Sequence, residues 1–225
     1  MTNLISPFLA VLLGVVIVAL WRPKQLRYVK TLLAFSGAFL LSITVFELLP
    51  TVFSHSQSSS LGLWVMGGIL IQILLESLSK GAEHGHIHIN NQSEFPWGLF
   101  VGLCLHAFLE GTPIEHHEHL LWGVLIHKLP IAIIISYFLW KSHLSRPKMG
   151  MFLLLFALMT PLGTWSVQTF EGLQQYSLEM SALVIGIFLH VSTTILFESS
   201  EGHRFDITKL LAIVSAILLA YTIQH

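Results

Sequence analysis

The sequence has a single cysteine, and few charges of either sign, in 225 residues. Cys104 alone forms no intramolecular disulfide and builds no cysteine-rich zinc site. It lies two residues from His106, on a different helical face, and reads as packing. The only aspartate is Asp206, expected in a cytoplasmic loop. Charged residues make up 10% of the chain, against about 25% in a soluble domain. No ATP-binding motif occurs, and no Gly-x-Ser-x-Gly nucleophile elbow. The first apolar run has neither a basic leading segment nor a small-residue cleavage site, so it is expected to stay as a helix. The net charge of −1 means little by itself, because charge in so apolar a chain is sorted by loop; no nucleic-acid partner is expected.

What the chain does have is grease. It is 54% hydrophobic with a mean hydropathy of +0.75, so an all-α polytopic membrane protein is expected. A crossing helix needs about 20 mostly apolar residues. Eight spans follow, at about 4–21, 28–50, 61–79, 95–111, 120–140, 148–165, 178–198 and 207–224, and the whole chain 1–225 forms one transmembrane domain. Arg22-Pro23-Lys24, the Ser56–Ser60 run, Asn90-Asn91, Thr112-Pro113 and Arg146-Pro147 punctuate the loops. Numbered by the spans they join, loops 1–2, 3–4, 5–6 and 7–8 hold ten of the eleven Lys and Arg residues. Loops 2–3, 4–5 and 6–7 hold none. Cytoplasmic loops collect Lys and Arg, so both termini are expected on the non-cytoplasmic side of a cell (inner or plasma) membrane.

Two segments place ionisable side chains inside these spans: His106-Ala107-Phe108-Leu109-Glu110-Gly111 and His127-Lys128-Leu129-Pro130. Such groups are costly at the bilayer centre and usually face a bundle interior. His106 follows Phe95 by eleven residues, roughly 16 Å along a helix, near mid-membrane. Glu110 is four residues on and shares its helical face. His127 lies seven residues into the next span, also near mid-depth. Two imidazoles and a carboxylate meeting there suit a divalent transition metal. A histidine bonded to a neighbouring helix is an equal reading for His106 alone, but not for His106 and Glu110 together. Pro130 removes the donor for the Ile126 carbonyl and should kink its helix. Gly111, Thr112 and Pro113 should free carbonyls at the end of the fourth span, which is tolerated at depth only beside protein or a water-filled cavity. Lys128 is expensive there unless it pairs or loses its proton; it is expected to bond a site carboxylate such as Glu110.

Other polar groups outline a pathway. Glu47, His190 and Glu198 would form a line from one side through the central site to the other, with Glu76 near the inner end of the third span, though each glutamate alone reads first as an ordinary interfacial residue at a helix end. Glu115-His116-His117-Glu118-His119 is a row of metal-compatible side chains on the outer side. His84, His86 and His88 alternate along the cytoplasmic loop 80–94. Both stretches could collect metal, or serve as ordinary polar loops.

These residues resemble the ZIP (Zrt/Irt-like protein) family of divalent-metal transporters. The fourth-span pattern of that family is matched by His106 to Gly111 except at Ala107, and the fifth-span pattern by His127-Lys128-Leu129-Pro130. Phe46-Glu47-Leu48-Leu49-Pro50 looks like the second-span segment, and Thr160-Pro161-Leu162-Gly163 like the sixth. Many members bind two adjacent metals, using positions that here hold Ala107, Lys128 and Thr160. The resemblance therefore implies one ion, held by His106, Glu110 and His127, with the lysine ammonium in the second place and Glu47 as a gate or fourth ligand. It further implies uptake toward the cytoplasm, an inverted three-helix repeat and a homodimer.

The expected function is transport of zinc, or of iron or manganese, as substrate, with no prosthetic group and no catalysis. The metal and the bilayer are its partners. The alternative is an intramembrane zinc-dependent hydrolase, with three protein ligands and an activated water. Such a site also wants a general base, usually an aspartate or glutamate, and often a third histidine, and the only aspartate, Asp206, is expected in a cytoplasmic loop.

Overall fold

A computed structural model describes residues 2–21, 29–55, 60–79, 95–117, 119–198 and 207–224, without the side chains of His55, His116 and Glu198. The chain is an all-α polytopic membrane protein, with no strand among the described residues. Its elements are α1 (Thr2–Trp21), α2 (Val29–Ile43), a π-helical turn (Thr44–Leu48), α3 (Leu49–His55), α4 (Ser60–Ser79), α5 (Trp97–Gly111), a short 3₁₀ turn (Ile114–His116), α6 (Leu120–Lys141), α7 (Arg146–Thr169), α8 (Glu171–Gln174), α9 (Ser177–Glu198) and α10 (Ile207–Gln224). Seven helical stretches are long and apolar enough to cross a membrane, with α2, the π turn and α3 counted as one over Val29–Ser54. The fourth expected span is the exception. It is 15 residues long, about 22 Å, because it starts only after Pro96 and stops at Gly111.

Proline shapes several of these elements. Pro147 sits in the first turn of α7, where its missing N–H costs nothing. Pro50 cannot donate to the Phe46 carbonyl, and just before it the Leu49 N–H reaches back five residues to Thr44. One extra residue is thus absorbed as a π turn, a distortion that often marks functional positions. α6 continues through Pro130 as one helix.

Helix pairing divides the bundle into two groups. α1 packs on α6 and α7, and α5 on α7; α4 packs on α9, and α2 on α9 and α10. The groups meet along two seams, α2 against α6 and α4 against α5. Each group has its own apolar core, one around Leu103, Ala107, Ile135, Phe152 and Phe156, the other around Phe39, Leu40, Ile43, Val184 and Phe188. α6 is the most enclosed helix, with 72% of its most apolar window buried against 17% for α10. Its residues therefore see protein almost all round, while α10 is left mostly to lipid.

Two helix pairs are drawn together by facing glycines. A Cβ on Gly68 would lie 1.9 Å from the Leu183 carbonyl oxygen, and one on Gly186 2.0 Å from that of Val65. In α5 and α7, a Cβ on Gly111 would lie 2.2 Å from the Thr160 oxygen, and one on Gly163 2.0 Å from that of Phe108. Both pairs use one device: each glycine faces the carbonyl three residues before its partner glycine. Small residues let membrane helices approach closely. Gly163→Ala is therefore expected to force α5 from α7 and cost about 1–3 kcal/mol, as overpacking does. Gly62→Ala, with open space around its Cβ position, should not lower stability. Thermal melting in detergent checks both, and equal melting temperatures would contradict the close packing.

Candidate metal centre

The candidate ligands lie on the α5–α6–α7 group, beside its seam with α4. Glu110, His106, Lys128 and His127 are all at most 2% exposed. Lys128 Nζ donates to Glu110 Oε1. The Thr160 hydroxyl lies 2.8 Å from the same oxygen and 2.9 Å from the Ala107 carbonyl, so its one proton is shared between them. The ammonium of Lys128 also sits 5.0 Å from the Phe156 ring centroid, a favourable cation–π distance. A buried lysine is thus satisfied at both its charge and its flank. Removing either member of such a pair strands the other.

The remaining carboxylate oxygen, Glu110 Oε2, lies 3.6 Å from His106 Nε2. His106 Nδ1 is 3.0 Å from Gln72 Oε1 on α4. The His106 and His127 rings stand edge to face, 6.2 Å between centroids. Donors placed 2.0–2.1 Å from a tetrahedral zinc are about 3.4 Å apart. The His106–Glu110 pair is close to that spacing. Among the described residues, however, no group of three His, Cys, Asp or Glu side chains is gathered tightly enough to hold one ion. The arrangement is closed on its own lysine rather than preformed as a three-ligand cage.

The end of α5 is secured by hydroxyls. Thr112 Oγ1 donates to Leu109 O at 2.9 Å, and Thr164 Oγ1 on α7 donates to Gly111 O at 2.8 Å. The carbonyls that Gly111 and Pro113 leave over are therefore answered by protein, which is what irregular backbone at membrane depth requires.

The outlying candidates are placed differently. Glu47 is half-buried in the π turn, which touches α6 and α9. His190 on α9 pairs with Glu76 on α4 at 2.7 Å, inside the other helix group. The Glu198 side chain lies outside the described residues, so the line from Glu47 to Glu198 has no described far end. His84, His86, His88 and Glu118, and the His116 side chain, also lie outside them. In the connecting segment His117 is 5% exposed, His119 is half-buried, and Glu115 accepts from Gln168 on α7.

Sequence reasoning missed Gln72. It is an amide within Gly67–Ser79, fully buried, and a polar side chain in an apolar span is a signal that could have found it. The Glu76–His190 contact was missed too, since nothing in the sequence pairs residues 114 positions apart. Compared with models of known families and with curated proteins, the chain matches none.

Proposed function

We propose that this chain is a ZIP-like carrier that moves divalent transition-metal cations, zinc foremost and iron or manganese as alternatives, across a cell membrane toward the cytoplasm. One ion at a time occupies a site made by His106, Glu110 and His127. The observation that carries this reading is the buried cluster on α5 and α6. Two imidazoles and a carboxylate are buried within two apolar helices, with His106 Nε2 and Glu110 Oε2 at 3.6 Å and the His106 and His127 ring centroids 6.2 Å apart. Imidazole favours zinc and iron over magnesium and calcium.

On this reading Lys128 is a resident cation. An arriving dication displaces the ammonium from Glu110, the His127 ring turns inward, and the two helix groups shift along the α2–α6 and α4–α5 seams to open the site to the other side. The displaced ammonium stays beside the bound ion, where a second ion would otherwise sit, so the site takes one. The glutamate in the π turn stands on the approach. Gradients supply the energy, in keeping with a sequence that has no ATP-binding motif.

The test is uptake of radioactive zinc by liposomes containing the purified protein, with unlabelled iron, manganese, magnesium and calcium as competitors. Uptake above that of empty liposomes, inhibited by iron or manganese and not by magnesium, is expected. Uptake equal to that of empty liposomes would contradict the proposal.

A further inference from the structure

Gln72 Oε1 can only accept a hydrogen bond. At 3.0 Å from His106 Nδ1, it therefore requires that nitrogen to carry the ring proton. A neutral imidazole has one protonated nitrogen, so the lone pair then falls on Nε2, the atom that faces Glu110 Oε2. We infer that Gln72 is a positioning residue that fixes His106 in the tautomer able to bind a metal through Nε2. This rests on the transport reading for its purpose, and on the geometry alone for the tautomer.

Several observations converge on this role. Gln72 is fully buried, and a buried side-chain amide is costly unless its polar atoms are used. It stands on α4, across a seam from α5, so the bond joins the two helix groups. An Nε2–H would turn a proton, not a ligand, toward the carboxylate. A lone pair and a carboxylate oxygen 3.6 Å apart instead form an electronegative pair that a cation placed between them relieves. Histidines that bind metals usually donate their other ring N–H to an oxygen acceptor, which sets the tautomer and raises the basicity of the binding nitrogen. The amide also has a second face. Turned end for end, it would donate to Nδ1 and move the ring proton to Nε2, converting the ligand into a non-ligand. The bond thus ties the competence of His106 to the register of α4 against α5. Sliding of the groups along that seam removes the acceptor as the ion departs.

The experiment uses the full chain in detergent and in liposomes. Protein labelled with nitrogen-15 at histidine is examined by NMR without metal, His106 being assigned by the signals lost in His106→Ala. Zinc uptake is measured in parallel for wild type, His106→Ala, Gln72→Leu and Gln72→Glu. Wild-type His106 is expected to be protonated at Nδ1. Gln72→Leu should shift it toward the Nε2–H form and raise the KM for zinc about 10–100-fold, with a smaller change in the maximal rate. Gln72→Glu keeps an acceptor in place and should restore both readouts to near wild type. Should Gln72→Leu fail to fold, the wild-type tautomer and the behaviour of Gln72→Glu carry the test.

An Nε2–H tautomer in the wild type overturns the inference. So does an unchanged KM and tautomer in Gln72→Leu when His106→Ala has abolished uptake. If His106→Ala transports zinc as well as wild type, the transport reading itself has failed, and with it the purpose assigned to Gln72.

Discussion

Zinc uptake by reconstituted protein is expected to fall to the level of empty liposomes in His106→Ala, Glu110→Gln and His127→Ala. Losing a mere hydrogen-bond partner of a metal ligand costs about 10–100-fold in affinity or activity, and losing one of three ligands should cost at least as much. Glutamine is chosen at Glu110 because it keeps the shape and an oxygen for the Lys128 and Thr160 donors. Either substitution removes the counter-charge of buried Lys128, but alanine also removes its acceptor, so a dead alanine variant could simply be an unfolded one. Melting temperature, read beside uptake, separates the two effects. Wild-type uptake in all three variants would contradict the assigned site.

The second large effect concerns Lys128. Its ammonium donates to Glu110 on one side and lies over the Phe156 ring on the other. Lys128→Met keeps the apolar stem and removes the charge. The stranded Glu110 carboxylate must then be buried alone or take up a proton. Breaking a buried ion pair in this way costs about 3–5 kcal/mol, or roughly 6–20 °C for a chain of this size. A dication can take the ammonium's place. Zinc is therefore expected to raise the melting temperature of Lys128→Met by more than it raises that of wild type. If the variant melts as wild type does with and without zinc, the lysine is not the resident cation of this site. Lys128→Asp goes a step further, since it supplies a second carboxylate beside Glu110. It should bind a second zinc ion per chain once the loop histidines are removed; titration giving one ion would contradict that role.

Much of the architecture is legible in the sequence because membrane helices advertise themselves by length and apolarity. The spans over 61–79, 120–140 and 207–224 differ from α4, α6 and α10 by one residue or less at either end. The fourth span was harder. Its apolar run is interrupted early by Phe95-Pro96, and the proline delays the helix to Trp97. The second span is longer than composition alone indicates. Pro50 looks like a terminator, yet the π turn absorbs it and the helix runs on to His55.

The site is legible for a different reason. His106 and Glu110 are one helical turn apart, so local geometry alone puts them side by side. The Lys128–Glu110 pair could be anticipated because two opposite charges in adjacent apolar spans have few other ways to be satisfied. Contacts between distant spans follow no such rule. Gln72 meets His106 and Glu76 meets His190 because glycines (Gly98 and Gly102 on α5, Gly186 on α9) let these helices approach the carbonyls of α4 closely, and that geometry depends on backbone carbonyls that no sequence pattern displays. The closed state of the cluster, with the lysine seated on the carboxylate and His127 apart, likewise depends on side-chain rotation that spacing leaves open.

The central claim is that His106, Glu110 and His127 close on one ion. X-ray absorption at the zinc edge tests it most directly, on purified protein given one equivalent of zinc after replacement of His84, His86, His88, His116 and His119 by serine. The account predicts nitrogen and oxygen neighbours at about 2.0–2.1 Å, with the scattering signature of two imidazoles that drops to one in His127→Ala. A spectrum without imidazole, or one unchanged in His127→Ala, would contradict it.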